Sequence, residues 1–371
     1  MENTLTGKQA GLFCSLMIFT SKILVLPSLF YETNKFGGIF CLIIILFLEL
    51  LFLHFLIRIK IKYPDLNLKK LFTNKLGKIL IYAIFLMFLI FFYLKFLYLI
   101  QECFSFFKKT LFEEAPIATY LLCLLPVITA CVYKGLKPFG RTLELFYLVI
   151  IIGFVFGTII WITQASTFSL SLASNNGLSG LISGVLDYAF WFGDFFFIVL
   201  FFDKIQLKKD EIKSLYFFPI SSAVVLVIFY FSYFFIYQTT SFTHVNAVVD
   251  IIQFATNLGS VGRVDLIQIL VVMFLLFFNS GLHLFCIVEC MKNLLPFTHR
   301  AQPLIVFNVI TIPVFYLLRN NINNLVIFYS EVLKYFSVFV VFVFPIIFLI
   351  VCYFKIQIKK KISKNMGIIK K

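Results

Sequence analysis

The chain has 371 residues, of which 61% are hydrophobic, 19% aromatic and only 13% charged, with a formal net charge of +15. An apolar share so far above that of a soluble domain excludes a water-soluble fold and identifies an all-α polytopic membrane protein. The positive charge would point to nucleic acid in a soluble chain, but here the basic residues sit in short loops between apolar runs, so they report topology and no nucleic-acid partner is expected.

Runs long enough to cross about 30 Å of hydrocarbon fall near residues 9–31, 37–57, 79–104, 117–133, 143–163, 180–202, 215–238, 264–290, 303–318 and 334–354. They predict ten transmembrane helices in a single domain over residues 1–371. The N-terminus has no basic stretch ahead of a short apolar run and no small-residue cleavage site, so the first span is expected to be retained.

The first run is interrupted by Thr20-Ser21-Lys22-Ile23, followed shortly by Pro27. At 1.5 Å per residue Lys22 lies roughly 20 Å from a span start near Gln9, close to the bilayer midplane. A charge at that depth costs at least a few kcal/mol unless compensated, which makes Lys22 a functional-site candidate.

Sorting lysines and arginines by loop puts 24 on one side and 5 on the other. The positive-inside rule then places both termini in the cytoplasm, with the bilayer as the surrounding partner. Residues 164–179, rich in Ser, Thr, Asn and Gly, read as an external connection. Val245, Val248, Val249, Ile252 and Ala255 recur at helical spacing beside Asp250, which predicts a short amphipathic helix on the outer face.

Ten spans divide into two sets of five, and because five is odd the second set runs opposite to the first. That is the arithmetic of a 5+5 inverted-repeat transporter fold, in which helices 1 and 6 are broken. The sixth span carries a suitable stretch, Asp187-Tyr188-Ala189-Phe190-Trp191-Phe192-Gly193-Asp194. Where helices unwind in a membrane, freed N–H groups can hold a carboxylate and freed carbonyls an ammonium group, which together suit an amino-acid zwitterion. Thr20, Ser21, Lys22, Ile23, Trp191 and Gly193 form the candidate ligand-binding set, and Asp187 or Asp194 is the expected counter-charge of Lys22.

Glu49 with His54, Lys95 with Tyr98 and Glu102 on one helix face, and His283 are further ionisable or polar groups inside spans. Glu49 and Lys95 are candidates for coupling or charge compensation. Glu102, Glu144 and Glu289 lie near predicted span ends, where interfacial hydration would satisfy them. The eight cysteines include no Cys-x-x-Cys pair and the four histidines no metal-ligand spacing, so no metal or cofactor is expected. No P-loop or nucleophile elbow is present, and no catalytic residue or enzyme activity is expected.

Leu5-Thr6-Gly7-Lys8-Gln9, Ile23-Leu24-Val25-Leu26-Pro27-Ser28 and Phe36-Gly37-Gly38 are similar to the opening of the B subunits of bacterial spore germinant receptors. Tyr63-Pro64-Asp65-Leu66-Asn67-Leu68, Leu76-Gly77-Lys78, Gly135-Leu136 through Arg141 and Glu144, and a lysine-rich tail extend the resemblance over the chain. Those subunits belong to the amino-acid–polyamine–organocation transporter superfamily. The resemblance implies a multi-pass protein of the inner spore membrane, assembled with an A subunit and a C lipoprotein, that senses a small amino-acid-like nutrient. Two other readings stay open at this level: a proton-coupled amino-acid permease, and a channel or scaffold subunit without its own ligand.

Overall fold

The structure is a computed structural model that describes residues 4–64, 68–71, 75–111, 114, 116–163, 177–244, 246–256, 265–299, 301–318 and 328–353. The connection at 164–176 and the lysine-rich tail from 354 onward lie outside the described residues.

The fold begins at a two-residue strand, β1 (Leu5–Thr6), from which α1 (Gly7–Thr20) departs. The start of α1 is fixed by a reciprocal cap: the Thr6 hydroxyl accepts from Gln9 N, and Gln9 Oε1 accepts from Thr6 N, each at 3.2 Å. That pairing satisfies two donors that a helix end otherwise leaves free. After α2 (Leu26–Asn34) come α3 (Gly37–Lys62), the single turn α4 (Leu68–Leu71), α5 (Lys75–Thr110), α6 (Ile117–Lys134) and α7 (Leu136–Thr163). The second half has α8 (Gly177–Asp187), a 3₁₀ turn (Ala189–Trp191), α9 (Phe196–Leu200), β2 (Ile205–Gln206) and α10 (Glu211–Tyr237). It closes with α11 (Ala247–Thr256), α12 (Asp265–Leu294), α13 (Ala301–Leu318), a wide π-type turn (Phe328–Val332) and α14 (Lys334–Tyr353).

Among the described residues six helices are long and apolar enough to cross a membrane by themselves: those beginning at Gly37, Gly77, Leu136, Glu211, Leu266 and Lys334. The other apolar segments are shorter or come in two pieces. Several helices run past the apolar stretches that predict them, because Lys, Glu and Leu sustain a helix beyond the hydrocarbon edge. The chain is therefore a multi-pass, nearly all-helical membrane protein.

Helix α12 is the central post, with 83% of its apolar window buried against 33–44% for the other five. It packs most closely on α5, while α1 packs most closely on α10. Gly11 permits the second contact: a Cβ there would meet Ser214 O at 2.8 Å. In a bilayer such close backbone approach, rather than release of water, holds helices together. Outward-facing Phe47, Leu122, Leu145, Leu148, Val309 and Leu317 are exposed, as expected of lipid contacts.

β1 and β2 pair in parallel, Leu5 with Ile205 and Thr6 with Gln206. Since α1 leaves this small sheet and α9 arrives at it, α1 and α9 run in opposite directions, with the rings of Phe13 and Phe197 meeting at 5.5 Å.

Candidate functional site

Two interruptions face each other at the centre. Helix α1 stops at Thr20, whose hydroxyl turns back onto Leu16 O at 2.7 Å. Helix α2 resumes at Leu26 with Pro27 in its first turn, where the ring's missing N–H costs nothing. Two of the carbonyls freed between them are taken by other elements: Lys22 O accepts from the Tyr230 hydroxyl at 2.8 Å, and Leu24 O from the Ala247 amide at 2.8 Å. The second contact comes from the first residue of α11. The amphipathic segment after His244 therefore packs onto the interruption, with Val248, Val249, Ile251 and Ile252 buried.

The second interruption follows α8. Phe192 is extended and Gly193 adopts φ +84°, a left-handed conformation that side chains disfavour. Its backbone groups are likewise claimed. Gly193 N donates to Glu49 Oε1 at 2.5 Å and Asp194 N to the same oxygen at 3.3 Å. Phe192 O accepts from Lys95 Nζ at 2.6 Å, and Trp191 O from the Ser21 hydroxyl at 3.4 Å.

A four-charge cluster joins the two. Asp194 accepts from Lys22 Nζ at Oδ2 (2.5 Å) and from Lys95 Nζ at Oδ1 (2.7 Å), and Glu49 Oε2 lies 3.9 Å from Lys22 Nζ. All four residues are buried, with Lys22 at 0% and Asp194 at 1% exposure. Two ammonium groups and two carboxylates balance, which is the condition under which charges are tolerated inside a membrane. Phe192 and Phe91 flank the cluster, their ring centroids 4.8 and 4.9 Å from the Lys22 and Lys95 nitrogens, close enough for cation–π attraction.

Of the two aspartates expected near Lys22, Asp194 faces it and Asp187 does not. Asp187 ends α8 and pairs instead with Lys334, both side chains about a third exposed. The physical cause is the turn between them: the 3₁₀ step and the left-handed Gly193 re-aim the chain, so the two acids do not share a face. Glu102 also departs from expectation. The sequence places it near a hydrated span end, but α5 continues to Thr110, two turns further, and Glu102 is only 5% exposed. Glu289, by contrast, is half-buried and paired with Lys204 at 2.6 Å. His54 meets the Tyr216 hydroxyl at 3.1 Å, and His283 contacts Asn279 O at 2.9 Å; neither touches the cluster within hydrogen-bond distance.

Sequence reasoning missed Tyr230, whose hydroxyl holds the first interruption, and Tyr329, which stacks on Phe190 with centroids 4.3 Å apart. Nothing in an aromatic-rich membrane sequence distinguishes these tyrosines from lipid-facing ones. Among the described residues no group of three or more His, Cys, Asp or Glu is arranged to hold a metal ion.

A crystal structure of a manganese transporter mutant from Eremococcus coleocola resembles the chain with a TM-score of 0.57 at 10% identity, covering 92% of this chain and 78% of that one. At that identity the likeness is one of fold alone. No curated protein matches the sequence. A family model described as spore germination protein matches residues 4–325, and the chain belongs to that family of permease-type membrane proteins.

Proposed function

We propose that this protein is the nutrient-sensing subunit of a spore germinant receptor, of the B-subunit kind, and that it binds an amino-acid-like ligand between the interrupted middles of its first and sixth spans. The observation that carries the reading is the shared cluster: Lys22 on one interruption and Asp194 on the other, bridged by Lys95 and Glu49 from α5 and α3. A ligand seated between the interruptions changes how tightly that cluster holds them together. Differential contact with two arrangements is what lets a ligand shift their populations.

Thr20, Ser21, Lys22, Ile23, Trp191 and Gly193 form the proposed ligand-contacting set. Glu49, Lys95 and Asp194 are the proposed coupling charges, and Asp187 serves Lys334 instead. The proposed architecture is one domain of ten transmembrane helices, in two inverted sets of five, with helices 1 and 6 broken and both termini cytoplasmic. The opposed directions of α1 and α9 and the lopsided distribution of lysine and arginine favour it. Family membership favours a place in the inner spore membrane beside the A subunit and the C lipoprotein.

The test is a spore in which Lys22→Ala replaces the native residue. The nutrient response is expected to be lost while the protein stays at its normal level in the membrane. A normal dose response in that spore removes Lys22 from the site.

A second reading, a proton-coupled amino-acid permease, is favoured by the buried Oε2 of Glu49, which makes no hydrogen bond and offers a proton-carrying position. Proteoliposomes that accumulate labelled amino acid against a gradient would establish transport over sensing alone.

A further inference from the structure

A cavity of about 320 Å³ lies beside the four-charge cluster, between α3, α9 and α14. Its walls are apolar, with Phe52 from α3, Phe196 from α9 and Phe342 from α14 among them. Leu48, Phe55 and Ile346 also line it and are exposed, so the cavity is continuous with the surface that meets lipid. The sequence of α14 shapes this wall. Pro345 has no N–H to offer Val341 O, and the helix is widened to π geometry over Phe339–Val343, a departure that often marks functional sites. Gly193 completes the lining, so the second interruption borders the cavity directly.

Among the described residues Glu49 is the one charged side chain that lines it, and it is 6% exposed. Glu49 Oε1 already accepts from Gly193 N and Asp194 N, whereas Oε2 makes no hydrogen bond among the described residues. Lys22 Nζ lies 3.9 Å from Oε2, an ion pair too long for a hydrogen bond. The carboxylate therefore has acceptor capacity left. The charge of the cluster leaves no such room, because its two ammonium groups and two carboxylates cancel. A further cation would give the membrane interior a net positive charge, which burial penalises. A neutral donor would use the remaining acceptor and leave the balance intact.

We infer that this cavity takes a neutral apolar molecule bearing one hydroxyl or amide N–H, which enters from the bilayer and donates to the Glu49 carboxylate. A dry protein cavity of roughly 150 Å³ accepts benzene. At about twice that volume the cavity suits a medium-length alkyl chain or a substituted ring, and it is too small to take a two-chain lipid whole. Apolar walls reject ions and strongly hydrated molecules, because a polar group buried there without a partner costs free energy. The spare acceptor on Glu49 meets the one polar group such a molecule carries. Since Glu49 also holds the Gly193 and Asp194 amides, the occupant steadies the second interruption from the lipid side. Such a site operates whether or not a nutrient binds between the interruptions.

The test is photolabelling of the purified full-length protein, in nanodiscs of phosphatidylglycerol, with an aliphatic diazirine alcohol whose attachment points are mapped by mass spectrometry. Labels are expected to concentrate on residues 48–55 and 341–349, and 1-octanol is expected to displace them. Methyl octyl ether, which lacks the donor, should need about tenfold to a hundredfold more at equal membrane concentration, the ratio of one hydrogen bond to a charged group. Octylamine should displace the label no better than octanol. Leu349→Trp, which fills the cavity from outside the cluster, should abolish labelling there. The comparison among competitors uses the unaltered protein and needs no variant to fold. Equal displacement by the alcohol and the ether, or labels spread along the lipid face without concentration at the cavity, overturns the assignment. Stronger displacement by octylamine overturns the neutral ligand class. Unchanged labelling in a folded Leu349→Trp protein places the probe outside the cavity and overturns the assignment as well.

Discussion

Lys22 and Asp194 stand 172 positions apart in the chain, and their Nζ and Oδ2 atoms meet at 2.5 Å with both side chains at 0% exposure. Each belongs to an interruption between two short helices, so the contact ties one interruption to the other. Lys95 and Glu49 brace it from α5 and α3, and the result is a neutral knot of four charges at the centre of the fold.

The first prediction concerns Asp194, the only group in that knot held by both lysines. Asp194→Asn strands two ammonium groups in the interior, and breaking a buried pair in this way costs about 3–5 kcal/mol. A large drop in the unfolding midpoint of the detergent-purified protein is expected. Adding Lys95→Met should recover part of it, because one stranded charge is removed; no recovery would mean that Lys95 and Asp194 act separately.

Gly193→Ala tests the backbone. Its φ of +84° disfavours any side chain, and a Cβ would meet Val341 Cγ2 at 3.0 Å and Phe196 Cε2 at 3.1 Å. A loss of about 1–3 kcal/mol is expected from the strain, together with loss of the nutrient response, since the Gly193 amide is aimed at Glu49. An alanine variant with the unfolding midpoint of the native protein would show that the turn relaxes freely.

Tyr230→Phe removes one hydroxyl and little volume. The Lys22 carbonyl would lose its buried donor, at a cost of about 1–3 kcal/mol for a polar group left unsatisfied. The measurement is again the unfolding midpoint, and a change indistinguishable from zero would place a water or another donor on that carbonyl.

Asp187→Asn is the contrasting case. Its pair with Lys334 is partly exposed on both sides, and such pairs contribute about 0–1 kcal/mol. The variant should keep both its stability and its nutrient response. Loss of the response would return Asp187 to the site.

Part of this arrangement is legible in the sequence for definite reasons. A polar trio ahead of Pro27 interrupts an apolar run, and Lys22 requires a counter-charge at its own depth. Choosing between Asp187 and Asp194 is not possible from composition, because helical spacing would put residues seven apart on one face. Only the turn through Gly193 separates them. Glu102 is misjudged for a related reason: hydropathy ends the third span near residue 104, while the helix itself runs to Thr110. The pairing of Leu5–Thr6 with Ile205–Gln206 leaves no periodic signal, since two-residue strands are too short to alternate. The attachment of Ala247 to Leu24 O is equally silent, because a backbone contact carries no residue preference.

The central claim is that Lys22 and Asp194 couple the two interruptions, and a double-mutant cycle measures that coupling directly. Lys22→Met, Asp194→Asn and the double variant are compared with the native protein by unfolding free energy in one detergent. The double variant is expected to be more stable than the sum of the single losses predicts, with a coupling of about 2–3 kcal/mol, at the upper end for residues in contact. Losses that add to within about 0.5 kcal/mol, the behaviour of independent sites, would contradict it.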